Sequence, residues 1–462
     1  MSATSSISMT PVQRLWDIIR QDKRDLIVLI VYTVFSGILS LAVPLGAQAL
    51  VNTIAAGMFL QPLLVLSLLV FVGLLFAGGI QLLQFLLVEI IQQRIFARVA
   101  LRLAAHVPRI SISALKESYT PELVNRFFDT VVIQKTWAKL LMDGPSSILQ
   151  ILIGLILIGI YSPFLFVFDL TLVLGILGIG ILGLGGLKSS IDESSHKYKV
   201  AYWLEELGRC HVSFKMNGLP SFLEDRLDDH VVAYINSRRQ HFNVLIRQIS
   251  GYYLLQALAS TGVLAIGGYL VINQQLTLGQ LVAAELVIII IMAALDKLVN
   301  RIDAFYDLLT SLEKVGAVTD MSVERLGGEA PIDNPKGAEI VCRKVYFSYY
   351  PTQPVLEDLN LKLMPGERVS LVGLSGTGKT TLAYLLCGLH QPDQGLIMMN
   401  QTDVRDVDLN MLRRNQALVS GVNELFNGTV EENILLGRTY ISRQQLQWAL
   451  ELVNLDEDLA RL

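Results

Sequence analysis

Lysine and arginine are missing from three long stretches of the 462-residue chain: between Arg24 and Arg94, between Lys139 and Lys188, and between Arg247 and Lys297. Cysteine is scarce. Cys210, Cys342 and Cys387 are too few and too scattered for a disulfide framework or a metal-ligand spacing, so free thiols in a reducing compartment are expected. There is no basic tail, and the net charge is −4, so nucleic acid is not indicated as a partner. Charged residues make up only 17% of the chain. Residues 1–10 are polar and the first apolar run is long, which argues against a cleaved signal peptide.

What is abundant is apolar surface: 52% of residues are hydrophobic and the mean hydropathy is +0.50. A soluble chain of ordinary composition has less, and the class indicated is membrane protein. Each basic-free gap has room for two helices of about 20 residues. The apolar runs inside them predict six spans: Leu26–Leu50, Pro62–Val88, Pro145–Ile160, Phe164–Leu187, Gly251–Val271 and Gly279–Leu295.

The connections alternate. Asn52–Gln61, Tyr161–Pro163 and Ile272–Leu278 contain no lysine or arginine, whereas Arg94–Lys139 and Lys188–Arg247 are long and basic, and Arg14, Arg20, Lys23 and Arg24 precede the first span. The positive-inside rule then puts both termini and both long loops in the cytoplasm. Both loops carry helical patterning, such as Leu123, Phe127, Val131 and Trp203, Leu204, Leu207, so the spans are expected to continue outward as long helices. Ahead of the first span, Val12, Leu15, Trp16 and Ile19 repeat at helical spacing, with Arg14, Asp17 and Arg20 off that stripe. This predicts an amphipathic helix within residues 1–24, lying at the cytoplasmic interface or else packed on another part of the protein.

The six-helix region extends over 25–321. Gly327, Gly328, Pro331 and Pro335 then mark a linker over 322–337. Beyond it, Ala338–Tyr346 and Leu359–Leu363 read as strands, Pro365-Gly366-Glu367 as a turn, and Arg368–Val372 as a buried strand. Directly after comes Gly373-Leu374-Ser375-Gly376-Thr377-Gly378-Lys379-Thr380-Thr381, which matches the phosphate-binding P-loop pattern. Glycines there let the backbone approach phosphate oxygens with no Cβ in the way. Gly373, Ser375, Gly376 and Gly378 shape the loop, Lys379 brings positive charge to the β- and γ-phosphates, Thr380 offers a hydroxyl to Mg²⁺, and Thr381 is a further candidate contact. The cofactors implied are ATP and Mg²⁺. Leu396–Met399 followed by Asn400-Gln401 reads as a strand and hairpin turn.

Six spans, two long cytoplasmic loops, a linker and then a P-loop resemble the ABC exporter family in its fused form. The predicted fold class is thus a membrane α-helical, six-span exporter-type domain followed, over 338–462, by a partial α/β P-loop nucleotide-binding domain. Val345-Tyr346-Phe347-Ser348-Tyr349 is similar to the strand and aromatic loop that precede the family's P-loop, which makes Tyr349 the candidate to stack on adenine. Leu425-Phe426-Asn427-Gly428-Thr429-Val430-Glu431-Glu432-Asn433-Ile434 resembles the segment after the family's Q-loop, where a long helix begins, and Pro44, Gln48 and Asn52 resemble the end of its first span. The resemblance implies a multi-pass protein of the plasma (inner) membrane. It also implies a dimer with a second transporter half, identical or not, and coupling of ATP binding to export, with coupling helices near Ser113–Tyr119 and Glu205–Ser213. The substrate is not legible.

Two departures qualify the expectation. The Q-loop glutamine position holds Gly421, in Val419-Ser420-Gly421-Val422. The family's signature motif, Walker B aspartate, catalytic glutamate and switch histidine would all fall after Leu462, so no catalytic residue is identified and these residues alone are expected to bind ATP without turning it over. The alternatives are a non-hydrolysing nucleotide-binding subunit and a truncated, inactive remnant. Inside the spans, Asp169 and Glu285 are carboxylates in apolar surroundings. Glu285 is a candidate for the substrate path. Asp169, nearer the outer end, is expected to be bonded to a neighbouring helix or to lie at the interface. Glu89 is expected to be wet.

Overall fold

The computed structural model describes residues 9–55, 60–115, 120–218, 221–330, 337–419 and 425–461. The chain divides into two compact units, Met1–Glu324 and Arg325–Leu462, each taken by itself below.

The first unit is helical. Helix α1 (Pro11–Gln21) opens with a capping box between Thr10 and Gln13. The first span is broken into α2 (Lys23–Leu39) and α3 (Ala42–Ala55). Pro44 explains the break: its ring conflicts with the carbonyl four residues earlier, that of Ser40. The long helix α4 (Leu60–His106) is followed by short α5 (Thr120–Asn125), then α6 (Phe128–Tyr161) and α7 (Pro163–Leu182), capped by Ser162. Helix α8 (Gly186–Arg209), short α9 (His211–Met216) and α10 (Phe222–Ile272) contain the second long basic loop. Helices α11 (Leu278–Asn300) and α12 (Ile302–Thr319) complete the unit.

Six stretches among the described residues are long and apolar enough to cross a membrane: Lys23–Ala55, Leu63–Arg109, Leu123–Tyr161, Pro163–Arg209, Phe222–Ile272 and Leu278–Thr319. They coincide with the six spans read from the sequence, to within one residue at Pro62, and carry them well past the hydrocarbon thickness, as the patterning of the basic loops led us to expect. The core follows from their apolar faces. Ile158, Leu165, Val263, Leu270, Val287 and Ile291 are buried in one cluster of α6, α7, α10 and α11. The side chains left exposed, such as Leu64, Phe71, Phe76 and Phe85 on α4, suit contact with lipid tails.

Polar ties hold these helices together near the basic loops. His241 on α10 is 1% exposed, with Nδ1 at 2.9 Å from the Ser189 hydroxyl of α8 and Nε2 at 3.0 Å from the Asp303 carboxylate of α12. Arg301, at the break between α11 and α12, donates to Asp143 of α6 at 2.9 Å.

Helix α1 does not present one clean stripe. Leu15, Ile18 and Ile19 pack on a core of α2, α4, α6 and α12, while Val12 and Trp16 stay exposed. Arg14, read as lying off the stripe, turns inward against Asp320. The helix is therefore docked on protein along one side and exposed along another.

The second unit is built on a four-stranded antiparallel sheet of order β2-β1-β3-β4. Its strands are β1 (Ile340–Tyr350), β2 (Gln353–Leu363), β3 (Gln394–Met399) and β4 (Thr402–Asp403). Asn400 and Gln401 both adopt positive φ, 46° and 72°, which is the tight hairpin expected between β3 and β4. Helix α13 (Lys379–Leu386) lies between β2 and β3 in sequence, and its Leu382 and Leu385 join Cys342, Val345, Phe347 and Ile397 in the core. The remaining helices are α14 (Leu409–Arg414), α15 (Val430–Leu435), α16 (Arg443–Leu452) and α17 (Leu455–Leu459).

One expectation is corrected. Arg368–Val372 is not a buried strand: it forms no ladder, and Val369, Leu371 and Val372 are 47%, 47% and 91% exposed. A central strand is held by hydrogen bonds to neighbours, and no described strand pairs with this segment. The helix expected after Leu425-Phe426 begins at Val430 with a Thr429–Glu432 capping box but ends after six residues at Leu436, which takes a left-handed conformation.

Burial also sorts the cysteines, none of which is disulfide-bonded. Burial pushes the Cys342 thiol up to about 11 from an ordinary 9.0, and raises that of Cys387 against the opposing pull of Arg413. A rise of about two units means a thiolate fraction about a hundredfold smaller at neutral pH. Maleimide is therefore expected to leave Cys342 unlabelled in the folded chain and to label it after denaturation, as read by peptide mass spectrometry. Fast labelling of Cys342 in the folded chain would contradict its burial.

Candidate functional site

The P-loop residues lie between the sheet and the first turn of α13. Gly378 has φ +83°, and a Cβ there would fall 2.9 Å from Leu356 Cδ2 and 3.3 Å from the Val355 carbonyl. Only glycine lets the loop sit this close on β2. Gly376 also adopts positive φ, +86°, with open space around it. Thr377 closes the loop from within, its hydroxyl donating to the Leu374 carbonyl at 2.9 Å. Ser375 is exposed at the loop's outer face.

Lys379 begins the helix and folds back. Its ammonium donates to the Gly373 and Leu374 carbonyls at 2.9 and 2.7 Å. This places the positive charge over the loop, on the side where the first N–H groups of α13 have no intrahelical partner. A positive charge and the unpaired backbone donors of a helix start thus belong to the same loop, a combination suited to an anion with several oxygens. Thr380 is exposed in the first turn, and its hydroxyl is accessible.

Two candidates are placed less simply. Thr381 is 5% exposed, and its hydroxyl lies 3.2 Å from that of Tyr349. Tyr349 is half-buried near the end of β1, edge-on to Phe347 at 5.1 Å and to His390 at 5.5 Å. The structure thus brings Tyr349 to the P-loop helix through its hydroxyl. His390, 6% exposed, is a supporting residue that sequence reading missed, because a lone histidine outside any motif gives no signal. The seat that Val355 and Leu356 give to Gly378 was equally invisible, being a contact between residues more than 20 positions apart. Gly421 lies outside the described residues.

The segment read as a linker is partly docked on this unit. The Arg325 guanidinium donates to the carbonyls of Val404, at 2.9 Å, and Val407. Glu329 pairs with Asp406 and Asp408 through the backbone. Pro331 and Pro335 lie outside the described residues.

In the first unit, the region expected to hold the first coupling helix is anchored at its start. Ser111 N–H donates to the Ser322 carbonyl at 2.9 Å, and Glu324 N–H donates to that of Arg109 at 2.7 Å. Residues 116–119 of that region are outside the described residues, and the second expected tip, Glu205–Ser213, spans the turn from α8 to α9. Glu285 sits in the second turn of α11, half-buried, with Oε2 lacking a hydrogen-bond partner among the described residues. Asp169 is 5% exposed, and neither carboxyl oxygen has a hydrogen-bond partner among the described residues. A bond to a neighbouring helix, one of the two alternatives expected for it, is thus not found among the described residues. Glu89 is exposed and accepts from Gln92 and Gln93.

Comparison with known proteins gives the wider context. Residues 26–295 match the sequence family described as ABC transporter transmembrane region, and residues 356–462 match that described as ABC transporter. An ATP-dependent lipid A-core flippase of Burkholderia orbicola is 29% identical over 313 residues, 63% of this chain and 50% of that protein. A mitochondrial iron-sulfur clusters transporter, ATM1, of Gibberella zeae is 32% identical over 207 residues, 43% of this chain and 28% of that one. The transport/processing ATP-binding protein ComA of Streptococcus pneumoniae is 26% identical over 251 residues, 51% and 33% of the two chains. The chain thus spans half the length, or less, of the curated relatives it matches. Among solved structures, a bacterial Atm1-family ABC exporter with ATP bound superposes with a TM-score of 0.83 at 21% identity, covering 96% of this chain and 79% of that one, a likeness of fold.

Proposed function

The chain belongs to the ABC transporter family, a six-span transmembrane region fused to a nucleotide-binding region of exporter type, and from that premise we propose that it binds ATP with Mg²⁺ at 373–381 and couples this to export as half of a dimer. One observation carries the reading: the Lys379 ammonium folds back onto the Gly373 and Leu374 carbonyls, beside the positive-φ Gly376 and Gly378 that lead into the first turn of α13. In this reading Lys379 and the loop amides hold the phosphates, Thr380 takes the metal, and Tyr349 borders the base end. When bound, Mg²⁺ would supply positive charge that neutralises the phosphate oxygens. Thr381 acts from beneath, fixing Tyr349 rather than offering a free hydroxyl.

For orientation, the basic loops support a plasma-membrane protein with both termini cytoplasmic. The partner is a second transporter half, identical or not. Glu285 remains the candidate on the substrate path, since an unsatisfied carboxyl oxygen within a span is costly unless it serves a cavity. The flippase, the iron-sulfur clusters transporter and ComA share one architecture across different cargoes, so architecture names no substrate.

Gly421 favours a second reading, a nucleotide-binding half with weak or no turnover of its own. Glycine has no side chain with which to orient water or reach a metal. We expect Gly421→Gln in the full protein, paired with its partner half, to raise magnesium-dependent phosphate release at least several-fold with unchanged nucleotide affinity. Unchanged release would remove Gly421 as the reason for low turnover. Binding itself is tested by the Lys379 substitution with which the Discussion begins.

A further inference from the structure

The loop between α13 and β3 returns to the end of β1 that carries Tyr349. Helix α13 closes on Gly388, which takes the left-handed conformation at φ +64°. Gly388 N–H donates to the Leu385 carbonyl at 3.1 Å and Leu389 N–H to that of Tyr384 at 2.9 Å, the paired bonds of a glycine-terminated helix. The next residue along, His390, is 6% exposed. Its ring lies 5.2 Å from Phe347, tilted by 35°, and 5.5 Å from Tyr349 at 84°. Phe347, which shares a strand face with Tyr349, meets that ring at 86°. Two near-perpendicular neighbours and the Thr381 hydroxyl thus define the plane of Tyr349. Further along the same loop, Asp393 grips the strand. Its carboxylate accepts from the Ser348 N–H at 2.7 Å and the Ser348 hydroxyl at 2.8 Å, and its own N–H donates to the Tyr346 carbonyl at 2.9 Å. Strand pairing does not do this work, because the β1–β2 register shifts between Ser348 and Tyr350.

We propose that His390 is a positioning residue for the nucleotide base: with Asp393 it holds Tyr349 so that the half-exposed ring receives a purine. The inference rests on the reading of Tyr349 as the residue at the base end of the site. A tyrosine side chain has two soft torsions, and ordering them only when the ligand arrives would subtract from the stacking energy. A ring already fixed by its neighbours avoids that cost. The phosphates are held by Lys379 and the loop amides in the reading above, so His390 should matter for a ligand with a base and not for a bare triphosphate chain.

The test measures the binding of ATP and of inorganic tripolyphosphate, each with Mg²⁺, to the full chain by titration calorimetry. Wild type is expected to prefer ATP by roughly tenfold, and Tyr349→Ala to lose most of that preference. His390→Ala is expected to weaken ATP binding roughly fivefold and to leave tripolyphosphate unchanged. His390→Phe keeps a ring in place and should return most of the ATP affinity. In a Tyr349→Ala chain, His390→Ala should have no further effect. Thermal melting establishes that each variant is folded. If His390→Ala does not fold, Asp393→Asn, at an exposed position, carries the test with ATP binding weakened roughly threefold and tripolyphosphate unchanged. Equal weakening of both ligands would show mere structural support and overturn the proposal, as would unchanged ATP affinity. A loss in Tyr349→Ala with none in His390→Ala refutes the role of His390 alone. No loss in either variant, or equal wild-type affinity for the two ligands, refutes the reading of Tyr349 on which it rests.

Discussion

Replacing Lys379 by alanine is expected to weaken ATP binding about a hundredfold or more. In the proposed site the side chain would supply charge-assisted hydrogen bonds to phosphate oxygens, each worth roughly 1.5–3 kcal/mol, and the removal of two at once accounts for that factor. Stability should hardly change. Among the described residues the ammonium is bonded to the Gly373 and Leu374 carbonyls and to the Thr377 hydroxyl, at the exposed rim of its own loop. Titration with a fluorescent trinitrophenyl nucleotide measures the affinity, and thermal melting separates lost binding from lost fold. Arginine at this position keeps the charge but not the shape of the ammonium, and is expected to recover only part of the affinity. Unchanged affinity in Lys379→Ala would place the nucleotide elsewhere.

The second large effect is expected at the docked face of α1. Arg14 has only 11% of its side chain exposed, is paired with Asp320 at 2.5 Å, and has Glu313 at 3.9 Å. It fits because Gly316 has no side chain: a Cβ there would overlap the Arg14 guanidinium. Removing Asp320 leaves a largely buried cation with a weaker, more distant partner. Breaking a buried pair costs about 3–5 kcal/mol, and the residual attraction of Glu313 lowers the expected loss to about 2–3 kcal/mol. Asp320→Ala should therefore lower the melting temperature of the membrane unit by several degrees. Arg14→Met in the same chain should return most of that loss, since the orphaned charge is then gone. Gly316→Leu should act like Asp320→Ala by expelling Arg14 from its slot. A double variant no more stable than Asp320→Ala alone would mean that the pair is not the source of the effect.

Much of this protein is legible in one dimension. The three basic-free gaps locate six spans because a charge costs several kcal/mol in hydrocarbon wherever the neighbouring helices lie. The P-loop pattern is legible because it is a local device, a glycine-rich turn running into a helix start, confined to nine consecutive residues. The hairpin at Asn400-Gln401 is read from neighbours in sequence for the same reason.

Where sequence reading failed, the deciding atoms came from far along the chain. Apolar character alone suggested a buried strand at Arg368–Val372, but burial in a sheet needs partner strands, and no described segment pairs with it. Helical spacing put Arg14 on a polar face, yet Asp320, 306 residues later, draws it inward through the gap left by Gly316. The same separation governs Tyr349, whose hydroxyl meets Thr381, and Asp169, whose lack of a partner among the described residues appears only once the surrounding helices are assembled. The absence of lysine and arginine along the chain therefore established how often it enters the membrane. Only the tertiary structure decided which charges find a partner, because pairing depends on distances in space that no local pattern encodes.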